Sequence, residues 1–318
     1  NNHIHIHNYI QFHFLLKTFM MQPLQGSFVA LVTPMSPGGD LDFHALEALI
    51  EWHIESGTNG IVSVGTTGES ATVSVAEHLE IIEKTIDFVD RRVPVIAGTG
   101  GNSTQEAIEL TQTASELGAD YALIVTPYYN KPNQEGLYQH FKTIANHSPL
   151  PLILYNVPSR TGVNIAPETV LRLATDFKNI VGLKEASGDF QQAQTLIKTC
   201  PSNFHILSGD DEMSLPMILA GAKGVISVIG NAIPEIYTKL IEKGINREVV
   251  SAYDHQYQIL DLIRMIYNEG NPTGIKVLME ALGLCQNHLR LPLVNASDEL
   301  KLMLKEELAR VIPMYSTP

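Results

Sequence analysis

Residues 104–125 read TQEAIELTQTASELGADYALIV, and this stretch contains the unit from which the fold can be predicted. Thr104–Leu117 has helical periodicity, and Gly118 follows at a position where glycine commonly closes a helix. Tyr121–Val125 is then a short apolar run without polar alternation, which is typical of a parallel strand buried on both faces. The stretch therefore predicts a helix, a tight turn and a buried strand.

The same unit recurs along the chain. The predicted strands are Phe28–Val32, Gly60–Val64, Val93–Ala97, Tyr121–Val125, Leu152–Tyr155, Ile180–Lys184, Phe204–Ser208 and Gly224–Val228. The predicted helices between them are Phe43–Glu55, Ala76–Asp90, Thr104–Leu117, Glu135–His147, Pro167–Ala174, Asp189–Thr199 and Met213–Ala220. Eight strands that alternate with helices over about 220 residues predict an α/β fold, the (β/α)8 TIM barrel. The alternative is a doubly wound open sheet, which usually has fewer strands and a glycine-rich turn that is missing after the first strand here.

Both ends of the chain fall outside this repeat. Residues 1–20 lack the basic region and the small-residue cleavage site of a signal peptide, so we expect an extraneous or disordered leader. Residues 21–245 would form the catalytic barrel. After about residue 245 the strand signals stop, and Arg247–Tyr267, Pro272–Leu282 and Ser297–Ile312 read as helices. We therefore expect a C-terminal helical domain over residues 246–318, packed beside the barrel and without a second catalytic centre.

Composition excludes some classes of function. The chain has 21 Lys and Arg against 34 Asp and Glu, a net charge of -13, which disfavours binding to nucleic acid or to an anionic membrane. No apolar run approaches the roughly 20 residues that span a bilayer. The two cysteines, Cys200 and Cys285, indicate a reducing compartment rather than a disulfide framework. We expect a cytoplasmic protein.

The run Ile180-Val181-Gly182-Leu183-Lys184-Glu185-Ala186 ends the sixth predicted strand with a lysine. Charged side chains rarely occur in such a run without a partner or a function. A lysine held partly out of water can act as a neutral amine and form a Schiff base with a carbonyl substrate. The alternative is a lysine that extends its ammonium group to solvent at the strand end.

Further polar groups follow the other strands, at the end of the barrel where enzymes of this fold place their working residues. Gly65-Thr66-Thr67-Gly68-Glu69-Ser70 offers backbone N–H groups and hydroxyls to an anion, although it also reads as a plain turn. Phenols and a guanidinium follow the fourth and fifth strands. Each of these groups alone has a structural explanation, but together with the lysine they suit imine chemistry on a small carboxylated ketone.

Four motifs carry a resemblance to a known family: GTTGES at 65–70, TPYYN at 126–130, LYNVPSRTG at 154–162 and GLKEA at 182–186. They resemble the 4-hydroxy-tetrahydrodipicolinate synthase (dihydrodipicolinate synthase) family of class I aldolases, and the similarity runs from about Gly26 into the C-terminal helices. The resemblance implies condensation of pyruvate with L-aspartate 4-semialdehyde, toward diaminopimelate and lysine. It implies a homotetramer, a dimer of dimers, without metal or cofactor.

The resemblance also implies roles for single residues. Lys184 would form the imine with pyruvate, and Tyr155 would relay protons. Thr66 would link Tyr155 to Tyr129, and in this family the latter tyrosine comes from a neighbouring subunit. The remaining substrate-binding positions are Thr67 with Thr66 for the pyruvate carboxylate, Arg160 for the carboxylate of the aldehyde, and Gly209 and Ile226 for the pocket wall.

Feedback-inhibited members of the family bind L-lysine between subunits. The matching positions here are Ser70, Ala71, His78, Asn102, Glu106 and Tyr128. Lysine-sensitive bacterial members often have a histidine where this chain has Val75. We therefore expect L-lysine to be an effector, but a weaker one than a full match would give.

Three other functions compete with this one. An N-acetylneuraminate lyase or sugar-acid aldolase would share the lysine and the tyrosine, but Arg160 and Thr67 favour a short acidic aldehyde. A catalytically inactive barrel that serves as a binding protein would be favoured if either residue were missing. A metal-dependent aldolase is disfavoured, since the histidines have no ligand spacing beside a strand end.

Overall fold

The structure is a computed structural model that describes residues 24–315, so the predicted leader over residues 1–20 lies outside the described residues. Eight parallel strands close into a barrel in chain order, and the first strand pairs with both the second and the eighth. The (β/α)8 barrel prediction is therefore confirmed. The strands are β1 Gly26–Ala30, β2 Gly60–Ser63, β3 Val95–Gly98, β4 Tyr121–Val125, β5 Leu152–Asn156, β6 Ile180–Glu185, β7 His205–Ser208 and β8 Gly224–Ser227.

Helices follow the strands and surround the barrel. They are Phe43–Glu55, Val75–Val89, Thr104–Leu117, Gln134–His147, Pro167–Asp176, Phe190–Thr199, Ser214–Ala220 and Pro234–Ile245. A short helix, Pro158–Thr161, follows β5 directly. The predicted set lacked Pro158–Thr161 and Pro234–Ile245. Both begin with proline, which the first helical position accepts because its N–H would be unpaired there.

Several helix starts are fixed by side-chain caps, of which Ser74 gives the fullest example. Its hydroxyl accepts a hydrogen bond from the N–H of Glu77 at 3.3 Å, and the Glu77 carboxylate accepts from the N–H of Ser74 at 2.8 Å. This reciprocal pair satisfies two backbone donors that a helix start otherwise leaves free. The helix that follows β2 therefore begins at Val75, directly after its cap residue Ser74.

Two apolar layers hold the barrel together. The inner layer fills the barrel with residues such as Phe28, Ile153, Leu207 and Ile226. The outer layer lies between the strands and the helices. Strand residues alternate between the two layers, so a strand of this barrel is buried on both faces.

Three further helices complete the chain: Val249–Met265, Thr273–Ala281 and Asp298–Tyr315. Ala252, Ile259 and Leu262 of the first belong to the same apolar cluster as the outer layer of the barrel. The helical character predicted for this region is therefore confirmed. The division into domains at residue 245 stays a prediction, because the two parts share one core.

Candidate active site

A cavity of about 400 Å³ opens where the loops after β2, β5, β6 and β7 meet. This is the end of the barrel at which the strands finish, as expected for an enzyme of this fold. Its volume suits a small molecule. Lys184, Tyr155, Thr66 and Thr67 all line it, so four of the residues singled out in the sequence come together in space.

Lys184 is the penultimate residue of β6 and is only 4% exposed. Its Nζ lies 4.4 Å from the centroid of the Tyr155 ring. Among residues 24–315, no carboxylate oxygen lies within 4.0 Å of this nitrogen. A second buried lysine, Lys276, instead forms an ion pair with Glu69 at 2.6 Å. Lys184 therefore presents an unpaired amine to the cavity, which is what a nucleophile requires.

An irregularity in the strand pairing sets the direction of Lys184. The pairing of β5 with β6 shifts by one residue between Leu152 and Ile153, which leaves Val181 as an extra residue in β6. A bulge of this kind redirects the side chains that follow it. As a result, Lys184 pairs in register with Tyr155, whose ring belongs to the inner layer of the barrel.

Gly209, directly after β7, leaves the space that the Lys184 side chain occupies. A Cβ at this position would lie 2.9 Å from Cε of Lys184 and 2.7 Å from Cβ of Ala186. Both distances are shorter than van der Waals contact allows, so a larger residue would displace the lysine. Gly209 also lines the cavity, as expected for a residue of its wall.

The segment Gly65–Ser70, which we call the β2 loop, brings two hydroxyls to the cavity. Thr67 is almost fully buried, and its Oγ1 accepts a hydrogen bond from Nδ2 of Asn271 at 3.0 Å. The Oδ1 atom of Asn271 is buried and has no hydrogen-bond partner among the described residues. The loop therefore combines the fixed hydroxyl of Thr67 and the hydroxyl of Thr66 with backbone N–H groups, a combination suited to a carboxylate.

Two guanidinium groups lie at the cavity. Arg160, on the short helix after β5, is exposed and forms no ion pair with any residue in the described part of the chain. Arg264 instead binds Glu212 through two hydrogen bonds of 2.5 and 3.1 Å, and this contact lowers the pKa of the Glu212 carboxyl. Of the two guanidinium groups, Arg160 is thus the one whose N–H donors remain available to an anionic ligand.

Residues 209–213, which we call the β7 loop, add two aspartate carboxyl groups with different surroundings. Asp210 lines the cavity and accepts hydrogen bonds from the N–H groups of Glu212 and Met213. Asp211 is buried and accepts from the N–H groups that follow β8. Burial is the main cause that raises the pKa of each carboxyl. Asp211 therefore ties the ends of β7 and β8 together beneath the loop.

Two predicted site residues lie away from the cavity. Tyr129 is 90% exposed, has a backbone φ of 71° and does not line the cavity of its own chain. Ile226 lies on β8 in the inner apolar layer and is fully buried. Ile226 does not reach the cavity because it pairs with Phe28 in the body of the barrel rather than at its open end.

Several of the predicted effector positions lie close to one another. His78 is buried and donates from Nε2 to the carbonyl of Gly98 at 2.7 Å. Burial lowers the pKa of His78, while the charge of Glu106 acts in the opposite direction. Asn102 donates from Nδ2 to the carbonyl of Tyr128 at 3.2 Å. The imidazole and the Glu106 carboxylate therefore share one region beside the β3 end.

The remaining effector positions belong to the segment that follows β2. Ser70 closes the β2 loop, and Ala71 comes next in an exposed position. Val75 begins the helix Val75–Val89 and is 55% exposed. An exposed valine at a helix start offers an incoming ligand no hydrogen bond.

The C-terminal helices contribute to the cavity. No pattern in the sequence predicted this contribution. Ile263, Arg264, Tyr267 and Asn271 all line it. These residues surround the connection between two helices, a kind of segment that often carries functional side chains. The polar Asn271 directly before Pro272 was the available signal. The expectation of a region merely packed beside the barrel is corrected in this respect.

Residues 24–315 contain no group of three or more His, Cys, Asp or Glu side chains arranged to hold a metal ion. None of the helices described is both long enough and apolar enough to cross a bilayer.

Comparison with known proteins gives consistent matches. The Dihydrodipicolinate synthetase family matches residues 23–311. A 4-hydroxy-tetrahydrodipicolinate synthase of Neisseria meningitidis serogroup B is 50% identical over 275 residues, which cover 86% of this chain and 94% of that protein.

Two solved structures are similar over nearly the whole barrel and the C-terminal helices. Dihydrodipicolinate synthase from Acinetobacter baumannii, complexed with pyruvate, is 47% identical with a TM-score of 0.89, covering 91% of this chain and 99% of that one. The enzyme from Cyanidioschyzon merolae with lysine bound is 36% identical with a TM-score of 0.88, covering 90% of this chain and 98% of that one.

Proposed function

The chain belongs to the dihydrodipicolinate synthetase family, and from this we propose that it condenses pyruvate with L-aspartate 4-semialdehyde. The product is 4-hydroxy-tetrahydrodipicolinate, an intermediate of diaminopimelate and lysine biosynthesis, and the enzyme is a lyase. One observation carries the proposal: the buried amine of Lys184, which has no carboxylate partner among residues 24–315, lies 4.4 Å from the centre of the Tyr155 ring in a cavity of small-molecule size.

The reaction begins at Lys184. Its nitrogen attacks the ketone carbon of pyruvate, a C–N bond forms, and loss of water gives the imine. A proton then leaves the pyruvate methyl group and the imine becomes an enamine. No oxidant or cofactor takes part in these steps, because each one moves only protons, water and electron pairs between the substrate and the lysine.

Tyr155 is the proposed proton relay. A phenol can donate and accept a proton, and a positioned acid or base of this kind typically contributes 10²–10⁴-fold, about three orders of magnitude, to rate. The ring contact with Lys184 supports this role, since the hydroxyl belongs to the residue paired with the lysine in the barrel.

The pyruvate carboxylate binds to the β2 loop in this proposal. Thr66 and Thr67 supply hydroxyls, and Thr67 is already oriented by Asn271. A carboxylate fixed at one end of a three-carbon acid places its ketone carbon for attack by the lysine, which lowers the entropic cost of the imine step.

The aldehyde substrate brings a second carboxylate and an amino group. Arg160 binds this carboxylate, because a planar guanidinium without an ion pair can form two parallel hydrogen bonds. The enamine carbon then attacks the aldehyde and forms the C–C bond. The amino group of the aldehyde substrate finally attacks the imine carbon, closes the ring and displaces Lys184, so the lysine is regenerated. Gly209 is assigned to the wall of the site, while Ile226, which does not line the cavity, is assigned to the apolar barrel interior that supports it.

Tyr129 completes the site of a neighbouring chain in this proposal. Its phenol is exposed and does not line the cavity of its own chain, which is consistent with a residue that is exchanged between subunits. Thr66 would then join Tyr155 to this phenol. We propose a homotetramer built as a dimer of dimers, with Tyr129 exchanged inside each tight dimer.

L-lysine is the proposed effector, at Ser70, Ala71, His78, Asn102, Glu106 and Tyr128. The nearby Glu106 carboxylate suits an amino group, and the lysine-bound relative gives the ligand class. Val75 weakens this site because it supplies no polar group. Titration of turnover with L-lysine tests the assignment: activity should fall, and a flat curve far into the millimolar range would remove the claim.

Substrate exchange tests the overall function. We expect turnover with pyruvate and L-aspartate 4-semialdehyde, followed as formation of the cyclic product, and no comparable turnover with N-acetylneuraminate or a 2-keto-3-deoxy sugar acid. Preference for either sugar acid would keep the imine step and overturn the assigned second substrate. No turnover and no imine with any of them would favour an inactive binding protein.

A further inference from the structure

We propose that Lys276 and Glu69 are positioning residues that hold the β2 loop in the shape needed to bind the pyruvate carboxylate. This role rests on the proposed function, because it connects the Lys276–Glu69 ion pair, which lies outside the cavity, with the binding of pyruvate. Neither residue lines the cavity or would touch substrate. Their action would pass through Thr66 and Thr67.

Lys276 lies on the C-terminal helix Thr273–Ala281, and all three donors of its ammonium group bind to acceptors inside the protein. Its Nζ is 2.6 Å from Oε1 of Glu69, and both side chains are fully buried. The same nitrogen donates to the carbonyls of Thr33 at 2.9 Å and His288 at 2.6 Å. Three donors therefore meet three acceptors, and the ammonium group has one position.

Glu69 is the part of the β2 loop that this ammonium group holds. Its backbone has a φ of 58°, a left-handed conformation that costs free energy for a residue other than glycine. Its second carboxylate oxygen accepts a hydrogen bond from the N–H of Arg290 at 3.1 Å. Surrounding contacts thus impose the loop conformation at Glu69.

The same C-terminal segment binds the β2 loop at a second point. Asn271, five residues before Lys276, donates to Thr67, two residues before Glu69. Gly68 lies between these two points, where a Cβ would come within 3.1 Å of Val64 Cα. The C-terminal segment therefore contacts the loop on both sides of a tightly packed glycine. These contacts restrict the backbone that carries Thr66 and Thr67.

Stability alone does not account for such a pair. Desolvation of two charges largely cancels their attraction, and replacement of a buried ion pair by neutral groups of similar size is often neutral or stabilising. Removal of one partner is strongly destabilising, because a single charge remains buried. A fixed geometry is therefore what the pair offers, and the element it fixes is the β2 loop.

The test compares Lys276→Met with the double variant Glu69→Gln/Lys276→Met. Methionine keeps the length of the lysine stem, and glutamine can still accept from the N–H of Arg290. Since the double variant leaves no charge buried alone, we expect it to fold with a Tm close to that of the parent even where the single variant is destabilised. Lys239→Met is the control, because Lys239 forms an exposed pair of similar length, 2.7 Å, with Glu235.

The readout is imine formation on Lys184, measured by borohydride trapping over a range of pyruvate concentrations without the aldehyde. We expect the double variant to need at least about tenfold more pyruvate for half-maximal trapping, since small misplacements of binding groups have effects of this size. The KM for the aldehyde should stay within about twofold of the parental value, because Arg160 lies on the short helix after β5 and not on the β2 loop. A purely structural role would lower Tm and leave the half-saturating pyruvate concentration of the folded protein unchanged.

A folded double variant that is trapped at the parental pyruvate concentration would overturn the positioning role. An equal rise in both KM values would overturn it as well, because it would indicate general loosening. If the parent itself is not trapped by pyruvate, the proposed function fails, and that result is distinguishable because it does not involve the variants.

Discussion

Tyr155 and Lys184 lie opposite each other on β5 and β6, with the Lys184 nitrogen 4.4 Å from the centre of the Tyr155 ring. The extra residue Val181 in β6 produces this pairing. The lysine points into the barrel beside a phenol instead of outward against a helix. The proposed chemistry depends on this one relationship.

Tyr155→Phe tests the proton relay. Loss of the hydroxyl should lower kcat by about 10²-fold or more, while the aromatic ring and the fold remain. Pyruvate should still be trapped on Lys184, but more slowly. Steady-state kinetics and the time course of trapping measure the two effects. Tyr257→Phe, at an exposed position on the helix Val249–Met265, is the control and should match the parent. Parental turnover in Tyr155→Phe would contradict the role.

Gly209→Ala tests whether the lysine needs the space beside the β7 loop. The added methyl group would lie 2.9 Å from Cε of Lys184, so the amine must shift and imine formation should slow by about tenfold or more. Gly38→Ala is the matched control, because its nearest neighbour would be 3.4 Å away. Trapping rates and Tm of both variants give the answer. An alanine variant with the parental trapping rate would mean that the site has more room than the contacts indicate.

Subunit complementation tests the exchange of Tyr129. Tyr129→Phe and Lys184→Ala should each turn over slowly alone. When the two chains are refolded together, sites that combine Lys184 of one chain with Tyr129 of its neighbour should restore about a quarter of the parental activity in a symmetric dimer. The activity of the mixture and the mass of the assembly are measured together. A mixture no more active than the mean of its two components would show that Tyr129 does not act across an interface.

The Arg290–Glu77 pair predicts a pH-dependent stability. The hydrogen bond from Arg290 is the main cause that lowers the pKa of Glu77 from 4.5 to about 2. A lowered pKa in the folded state stabilises the protein above the unfolded value and loses this effect as the pH falls from 4.5 toward 2. Glu77→Gln keeps the helix cap and should lower Tm by about 2 °C at neutral pH, since a pair this close to solvent contributes at most about 1 kcal/mol.

The difference in Tm between Glu77→Gln and the parent should therefore shrink as the pH approaches about 3. Glu83→Gln, at an exposed position of the same helix, is the control. Thermal unfolding across this pH range measures both variants. An offset that is the same in acid as at neutral pH would show that the ion pair is not its cause.

Much of the fold could be predicted from the sequence because each β/α unit carries its own signals. Apolar runs of strand length, helical periodicity and closing glycines gave all eight strands in order. Element ends were less accurate by a few residues, as at β1, predicted as Phe28–Val32 and found at Gly26–Ala30. The N–H of Leu31 still donates to the carbonyl of Val62 at 3.1 Å, but the barrel pairing that defines the strand ends at Ala30.

The candidate site was predictable in its residues but not in its geometry. Strand β6 is buried on both faces, so its sequence cannot tell which face Lys184 occupies, and the bulge at Val181 has no signature of its own. The contribution of the C-terminal helices to the cavity could not be predicted for a related reason. Asn271 and Lys276 meet the β2 loop across about 200 positions of sequence, and local patterns carry no information on such contacts.

Covalent trapping tests the central claim most directly. Borohydride reduction in the presence of pyruvate, followed by peptide mass spectrometry, should find the reduced pyruvate adduct on Lys184 and none in Lys184→Ala. An adduct on a different lysine, or an unmodified Lys184 in protein that turns over pyruvate, would contradict the account.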